Sequence, residues 1–503
     1  MYQTNILEYL ENTAPRFPDK VAFSDGIENL TFSALQKSAK SIGSFLAAKG
    51  YRKAPIIVLM NKHPHAIAAF MGIIYAGCFY ICLDAEMPAR RIELIFESVK
   101  PSAIIYDKKN ERMLSKLPEG VERYLYDDVC DGEIDDAALL SVREAQLDTD
   151  PIYIVFTSGS TGVPKGVAAC HRSVIDYTET LCDAVGFDEN TVFGNQTPLY
   201  FDAPLKEIMP TLKFGATAYF IPKQLFMFPV KLCEYLNEHK INTVCWVVSA
   251  LVMISSLGAL EKNAPKHLTK ICFGSEVFPI KEYQRWRAAY PDAEFFNLYG
   301  PTEATGMSCY WKARELEEGE AIPIGKPFRN TEIMLIGDDG KLVRDGESGE
   351  IYIRGTCVTL GYYRNAEKTG EAFVQNPLND AYPELVYKTG DLARKNERGE
   401  LVFLTRKDSQ IKHMGHRIEL GEIEAAALTF DKILRACCVY DDEQKRIVLF
   451  YTGDATESEI ASYMRTLVPR YMLPAATVRL DVMPLTANGK LDRKGMRDKA
   501  KQL

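Results

Sequence analysis

No cysteine in this chain sits in a C-x-x-C pair or in the Cys/His spacing of a zinc site. The twelve thiols are scattered, and several (Cys245, Cys272, Cys437) lie in apolar stretches where a reduced cysteine acts as a small hydrophobe. A disulfide scaffold is therefore not expected, and a reducing, cytoplasmic setting is. An excess of positive charge is also missing. The net charge is -8, with Lys and Arg dispersed among acids, which argues against binding nucleic acid. The opening MYQTNILEYLEN has neither a basic n-region nor a long apolar run, so no secretory signal is expected. Residues 66–83 (AIAAFMGIIYAGCFYICL) are uncharged and approach membrane-spanning length. Gly72, Gly77 and the β-formers that follow divide this stretch into a buried helix, a turn and a buried strand, so no membrane insertion is expected. Neither a fixed-period repeat nor a low-complexity tract is present.

What the chain does have is length and alternation. At 503 residues, nearly half of them apolar, it should form two or more domains. Apolar β-rich runs (PIIVLM, AIIYD, YIVFTSG, TAYFI, TKICFGS) alternate with helical stretches such as FSALQKSAKSIGSFLAAKG. Continuous apolar strands separated by helices indicate an α/β fold of mostly parallel sheets covered on both faces. Near residue 400 the texture changes. EIYIRG and GELVFL suggest a β-subdomain before the polar stretch TRKDSQ, and a smaller helix–strand–strand–helix unit with a lysine-rich tail follows. The expected division is a large unit at 1–405, a hinge at 406–410 and a small mobile α/β unit at 411–503.

Directly after the strand-like YIVF comes Thr157-Ser158-Gly159-Ser160-Thr161-Gly162-Val163-Pro164-Lys165-Gly166. Its glycines let backbone N–H groups close on phosphate oxygens, its hydroxyls add donors, and Lys165 adds positive charge. The lysine spacing is not that of the G-x-x-x-x-G-K-[ST] loop. A flexible Ser/Thr/Gly linker is the rival reading, but linkers of that kind rarely follow a buried strand.

This loop resembles the phosphate-binding signature of the adenylate-forming superfamily, which includes acyl-CoA synthetases, luciferases and amino-acid adenylation domains. Further motifs of that family recur in order: Asn297-Leu298-Tyr299-Gly300-Pro301-Thr302-Glu303, Tyr387-Lys388-Thr389-Gly390-Asp391, Arg406-Lys407-Asp408, Lys412 to Glu419, and Asn488-Gly489-Lys490-Leu491-Asp492. The resemblance covers essentially the whole chain and implies ATP and Mg²⁺ as cofactors. It implies adenine on Tyr299, Gly300 and Asn297, ribose on Asp391 and Arg406, and further nucleotide contacts from Gly274 and Ser275. Thr302 would donate to the α-phosphate. Glu303 would hold Mg²⁺, which prefers hard carboxylate oxygens beside phosphates. Lys490, in an Asn-Gly turn, would project its cation between the substrate carboxylate and the α-phosphate, where anionic charge gathers in the transition state. The family's glycine before Arg406 is Thr405 here.

The substrate class rests on Phe201-Asp202-Ala203-Pro204-Leu205-Lys206-Glu207, which resembles the Phe-Asp core of amino-acid adenylation domains. In that family the aspartate pairs with the α-ammonium, so Asp202 implies an α-amino acid. Pro204 stands where the family usually has serine. The other pocket positions fall at Ala203, Lys206, Cys245, Ile271, Phe273, Leu298, Gly306 and Met307. A buried lysine wants an anionic or carbonyl-bearing partner, which favours Glu, Gln or Asp. Phe273 and Leu298 would shorten the cavity and favour Ala or Ser. The acidic or amide reading ranks slightly ahead.

By the same resemblance, the small unit would rotate about Asp408 after adenylation and bring Gly415 to a tunnel for an incoming thiol. The expected acceptor is a phosphopantetheinylated carrier protein in trans, because the lysine loop is soon followed by Leu503. Stand-alone ligases of this kind include the D-alanine–carrier-protein ligases. Two alternatives stand beside this reading. One is an acyl- or aryl-CoA synthetase, against which Asp202 counts. The other is an inactive nucleotide-binding regulator, which would be expected to have lost Lys165, Glu303, Asp391 or Lys490; all four are present.

Overall fold

A computed structural model describes residues 3–159, 163–407, 410–484 and 491–503. The apolar runs become two large sheets. In one, Glu294–Tyr299, Lys270–Gly274, Thr243–Val247, Val192–Asn195, Thr217–Phe220 and Val21–Ser24 lie side by side and parallel, with antiparallel strands added at both edges. In the other, Glu122–Leu125, Ala103–Tyr106, Pro55–Leu59, Phe79–Leu83 and Pro151–Thr157 run parallel, and Lys165–Cys170 closes the edge antiparallel. Strands such as Pro55–Leu59 and Thr243–Val247 are buried at every position, as expected when helices cover both faces.

The uncharged stretch at 66–83 resolves into helix Pro64–Tyr75, a turn at Gly77 (φ +69°) and strand Phe79–Leu83. Gly72 serves a different purpose from the turn suggested by its sequence context. It lies inside the helix, where an added Cβ would sit 2.6 Å from Cβ of Ile42 in the neighbouring helix Phe32–Ala48. Its missing side chain lets the two helices touch. Among the described residues, no helix is long and apolar enough to cross a membrane.

The β-subdomain is an antiparallel sheet built on the long strand Leu385–Lys395, which pairs with Gly349–Gly355, Phe373–Gln375 and Leu401–Arg406. Beyond it, helix Leu420–Leu428, strands Ile433–Asp441 and Arg446–Gly453, and helix Glu457–Leu467 occupy the stretches read from sequence. They form a separate core around Ile423, Leu449, Tyr451 and Ile460. Among the elements not read from sequence are the hairpin Gln410–His413/His416–Glu419, the strand Ala476–Arg479, and the helix Arg493–Ala500 in the basic tail. The hairpin turns through Met414 and Gly415, both in the left-handed region (φ +51° and +78°), without the Asn-Gly or Asp-Gly signal that usually marks such a turn.

Candidate active site

The glycine loop leaves the end of a buried strand. Thr157 pairs in register with Lys165 across the hairpin, and its Oγ1 donates to the Lys165 carbonyl at 3.4 Å. Lys165 holds its ammonium 5.0 Å from the centroid of the Tyr362 ring. Burial lowers its pKa, and the neighbouring Arg417 lowers it further. Ser160, Thr161 and Gly162, assigned to phosphate binding, lie outside the described residues.

Glu303 is the best-shielded acid of the site, at 0% exposure in the short turn Thr302–Ala304 after strand Glu294–Tyr299. The Tyr362 hydroxyl donates to its Oε1 at 2.7 Å and Arg417 Nη1 to its Oε2 at 2.6 Å. Burial alone would raise its pKa, but Arg417, Lys165 and the Tyr362 hydroxyl outweigh it and hold the group at about 2. Asp391 faces Arg406 across the ladder and is paired with it, while the Tyr299 hydroxyl donates to Asp391 Oδ2. Arg406 Nη2 also donates to the Thr389 carbonyl at 2.9 Å. Asn297 Nδ2 is committed to the Pro323 carbonyl at 2.7 Å, which leaves its Oδ1 as the atom suited to an amino group such as adenine's. Lys412, above the Tyr299 ring at 5.5 Å, belongs to this cluster and was not singled out from sequence. Gly300 continues the same strand end.

The residues expected from sequence to line an amino-acid pocket do not all share one face. Asp202 lies beside Gly306, where a Cβ would come 3.5 Å from its Oδ2. Its charge reaches Tyr153 and Tyr177, which share a buried cluster with Cys245, Cys272, Leu298 and Met307. Ile271 and Phe273 do not belong to this face. They pack into the opposite cluster with Trp246, Phe278 and Tyr283, the Phe273 and Phe278 rings being 5.0 Å apart. The reason is the two-residue period of the strand: Cys272 pairs directly with Cys245 and points to the same side, so its neighbours point away. Cys272, rather than Ile271 and Phe273, thus shares the face of Cys245, Leu298 and Met307. Gly274, at the end of that strand, and Ser275, in the left-handed region (φ +68°), carry the chain to Glu276.

Ala203 and Pro204 form the turn into helix Leu205–Phe214, with Leu205 N–H donating to the Asp202 carbonyl at 3.0 Å. Proline in the family's serine position is compatible with this turn, which asks for no N–H from residue 204. Lys206 is buried, and its charge acts on Asp202, Glu207 and Cys245. Asp202 and Glu207 are the nearby acids of its own chain, but burial raises the pKa of both, that of Glu207 to about 8, so their charge offsets the lysine only in part. Burial raises the pKa of Asp202, although Thr302 and Lys206 pull it back.

The small unit reaches into the same cleft. Gly415 N–H donates to Glu276 Oε1 at 3.1 Å, while Glu276 Oε2 accepts from Ser249 N–H at 2.8 Å in the first turn of helix Val248–Ser256. A side chain at Gly415 would collide with Val247, 2.4 Å from its Cγ1, in addition to the left-handed backbone there. Ser158 Oγ donates to the Arg417 carbonyl at 3.0 Å and accepts from Glu419 N–H at 3.1 Å. Gly159 N–H donates to Glu422 Oε2 at 3.1 Å. His416 stacks on Tyr471 at 3.8 Å and lies 5.1 Å from Phe201. The hairpin thus uses groups of the glycine loop and one oxygen of Glu303. Arg417, Tyr362 and Glu276 were not assigned roles from sequence; Arg417 lay in a motif already noted, and nothing local marked the other two. Asp408 and Lys490 lie outside the described residues.

Residues 10–363 match the AMP-binding enzyme family and residues 422–490 match the AMP-binding enzyme C-terminal domain. The chain belongs to the AMP-binding enzyme family. It is 30% identical over 516 residues to the L-proline–[L-prolyl-carrier protein] ligase of Streptomyces coelicolor, covering 97% of this chain and 95% of that protein. It is 29% identical to tyrocidine synthase 1 of Brevibacillus parabrevis, of which it spans 45%; 98% of this chain is covered. Of the dimodular nonribosomal peptide synthase of Bacillus subtilis, 32% identical over 98% of this chain, it spans 21%. Among solved structures, IdnL1 superposes with a TM-score of 0.83 at 26% identity, covering 96% of this chain and 100% of that one. The Vibrio cholerae adenylation domain AlmE, solved with glycyl-adenosine-5'-phosphate, superposes at 0.87 with 20% identity over 100% of this chain and 99% of that one, a likeness of fold.

Proposed function

We propose that the chain joins a small neutral α-amino acid to AMP and then passes the aminoacyl group to the phosphopantetheine thiol of a carrier protein supplied in trans. The observation that carries this reading is the position of Asp202, beside Gly306 and within electrostatic reach of Glu303. A carboxylate for the substrate ammonium thus adjoins the residues suited to the nucleotide. Gly306 leaves room over Asp202, and Leu298 and Met307 share one apolar cluster with Cys245 and Cys272. This shifts preference from an acidic substrate to a small neutral one. The carrier is inferred from the proline ligase, whose length the chain nearly matches.

In the first half-reaction a substrate carboxylate oxygen bonds to the α-phosphorus of ATP, and the bond from that phosphorus to the bridging oxygen breaks, releasing pyrophosphate. Asp202 holds the ammonium, Asp391 and Arg406 face the ribose, and Lys490 stabilises the crowded anionic transition state. Glu303 would hold Mg²⁺, since it is kept ionised and offers hard oxygens, provided Arg417 has withdrawn from Oε2. When bound, the ion neutralises charge on the departing pyrophosphate. In the second half-reaction the thiol sulfur bonds to the acyl carbon, the acyl–phosphate bond breaks and AMP leaves, while the thiol proton passes to solvent. Gly415, with no side chain to meet Val247, lets the hairpin lie against the large unit for that step.

An ATP–pyrophosphate exchange panel over both enantiomers of the amino acids, with simple carboxylic acids as controls, tests the reading. Glycine, alanine or serine should lead it. Exchange led by acids without an amine, or thiol transfer to CoA as fast as to a carrier, would move the chain to the acyl-CoA synthetases. Because burial raises the pKa of Asp202, the carboxylate is lost as pH falls through that raised value. The amino-acid KM should therefore climb on the acid side while the ATP KM changes little, which pH profiles of both constants would check. The small unit is proposed to pivot at residues 406–410. Asp408→Pro should slow thiol transfer at least tenfold while leaving exchange within about twofold; equal losses would remove the hinge assignment.

A further inference from the structure

Arg91 stands in the first turn of helix Ala89–Val99 of the large unit, away from every motif singled out in the sequence. Its Nη1 lies 2.7 Å from Glu422 Oε1, and the two side chains are only 6% and 5% exposed. Glu422 opens helix Leu420–Leu428 of the small unit, and its second oxygen accepts the Gly159 N–H at 3.1 Å. One carboxylate thus ties three elements together: a large-unit helix, the glycine loop and the small unit.

The pair has a directional consequence. A guanidinium this enclosed is costly without a counter-charge. Among the described residues, the ion-pair partner of Arg91 is Glu422, and it comes from the unit that must move. The small unit itself helps to enclose Arg91, through Tyr471 and Glu422; when that unit swings away Arg91 returns toward solvent, and when it docks Glu422 matches the charge that becomes buried. Glu422 also takes a backbone donor of the glycine loop, so ATP phosphates at that loop would face a carboxylate already in place. The pair belongs to the docked arrangement and opposes the nucleotide-loaded one.

Resting on the two-step reading above, we propose that Arg91 is a positioning residue for thiol transfer, a latch that closes on Glu422 after pyrophosphate has left. It touches no reacting atom. Its effect is to populate the docked arrangement in which Gly415 and Arg417 meet the large unit.

The test compares wild type, Arg91→Ala, Arg91→Lys and Glu422→Gln in the full chain. Exchange would be measured with the best amino acid of the panel, and single-turnover transfer of preformed aminoacyl-adenylate with free pantetheine as the thiol probe. Arg91→Ala should keep exchange within about twofold of wild type and slow transfer at least tenfold, with Arg91→Lys recovering most of the loss. Combining Arg91→Ala with Glu422→Gln should add little to either alone. Equal losses in both half-reactions, or no loss in either, would overturn the latch. A loss confined to exchange would instead place Arg91 on the ATP phosphates. Trypsin cleavage between residues 406 and 410 gives a readout independent of chemistry: Arg91→Ala should be cut faster than wild type, and an unchanged rate would count against the latch. A Tm within a few degrees of wild type shows that the variant folds; if the alanine variant does not, Glu422→Gln and Arg91→Lys carry the same comparison. Absence of exchange in the wild-type protein would sink the activity reading, whereas altered proteolysis bears on the latch alone.

Discussion

Asp202→Ala should reduce amino-acid-dependent pyrophosphate exchange by about 10² to 10⁴ in kcat/KM. The figure follows from the cost of leaving one member of a buried ion pair unmatched, about 3–5 kcal/mol, at 1.4 kcal/mol for each tenfold. In the proposed site the ammonium would then stand by the apolar cluster of Cys245, Cys272, Leu298 and Met307, with Lys206 as a nearby charge and no carboxylate at residue 202. The loss should be selective. Propionate, which has no amine, should support as much exchange with the variant as with wild type, and the ATP KM should stay within about twofold. An Asp202→Ala protein that activates its amino acid normally would end the assignment of an amino-acid substrate, although not membership of the family.

Lys490→Ala should slow adenylation by about 10³-fold in kcat, the upper range for deleting one preorganised electrostatic group from a transition state. Transfer from preformed aminoacyl-adenylate should remain near the wild-type rate, because the second half-reaction forms no new bond at phosphorus. The Tm should stay within a few degrees of wild type. Single-turnover assays run separately on each half-reaction would check the split. A variant with normal exchange would show that the lysine belongs to the basic tail, together with Lys494, Lys499 and Lys501.

The order of the motifs along the chain made the reaction class legible, and continuous apolar runs made the parallel strands legible. The same continuity hid the pocket floor. A strand buried on both faces, such as Lys270–Gly274, gives no inside–outside alternation, so nothing local distinguished Cys272 from Ile271 and Phe273. A slip of one residue exchanges the two faces. Lys206 is harder to read for a related reason: the sequence shows a buried cation, but which acids stand near it, Glu207 and Asp202 among them, depends on their places in space. Contacts across the cleft were out of reach for distance alone. Arg417 meets Glu303 across 114 positions and Glu422 meets Gly159 across 263; Arg417, Glu303 and Gly159 lie in motifs whose own residues looked self-sufficient, and Glu422 lies in none.

Glu276 divides its two carboxylate oxygens between Ser249 N–H of the large unit and Gly415 N–H, which on the two-step proposal arrives with the small one. The socket is therefore set before the guest arrives, and docking need not freeze that side chain afresh. For anyone grafting a C-terminal unit from a relative onto this scaffold, the compatibility requirement at this point is modest. The donor must offer a bare amide and no Cβ opposite Val247. A chimera that keeps glycine there retains this anchor whatever the rest of its surface carries, and one that does not will be refused at the backbone.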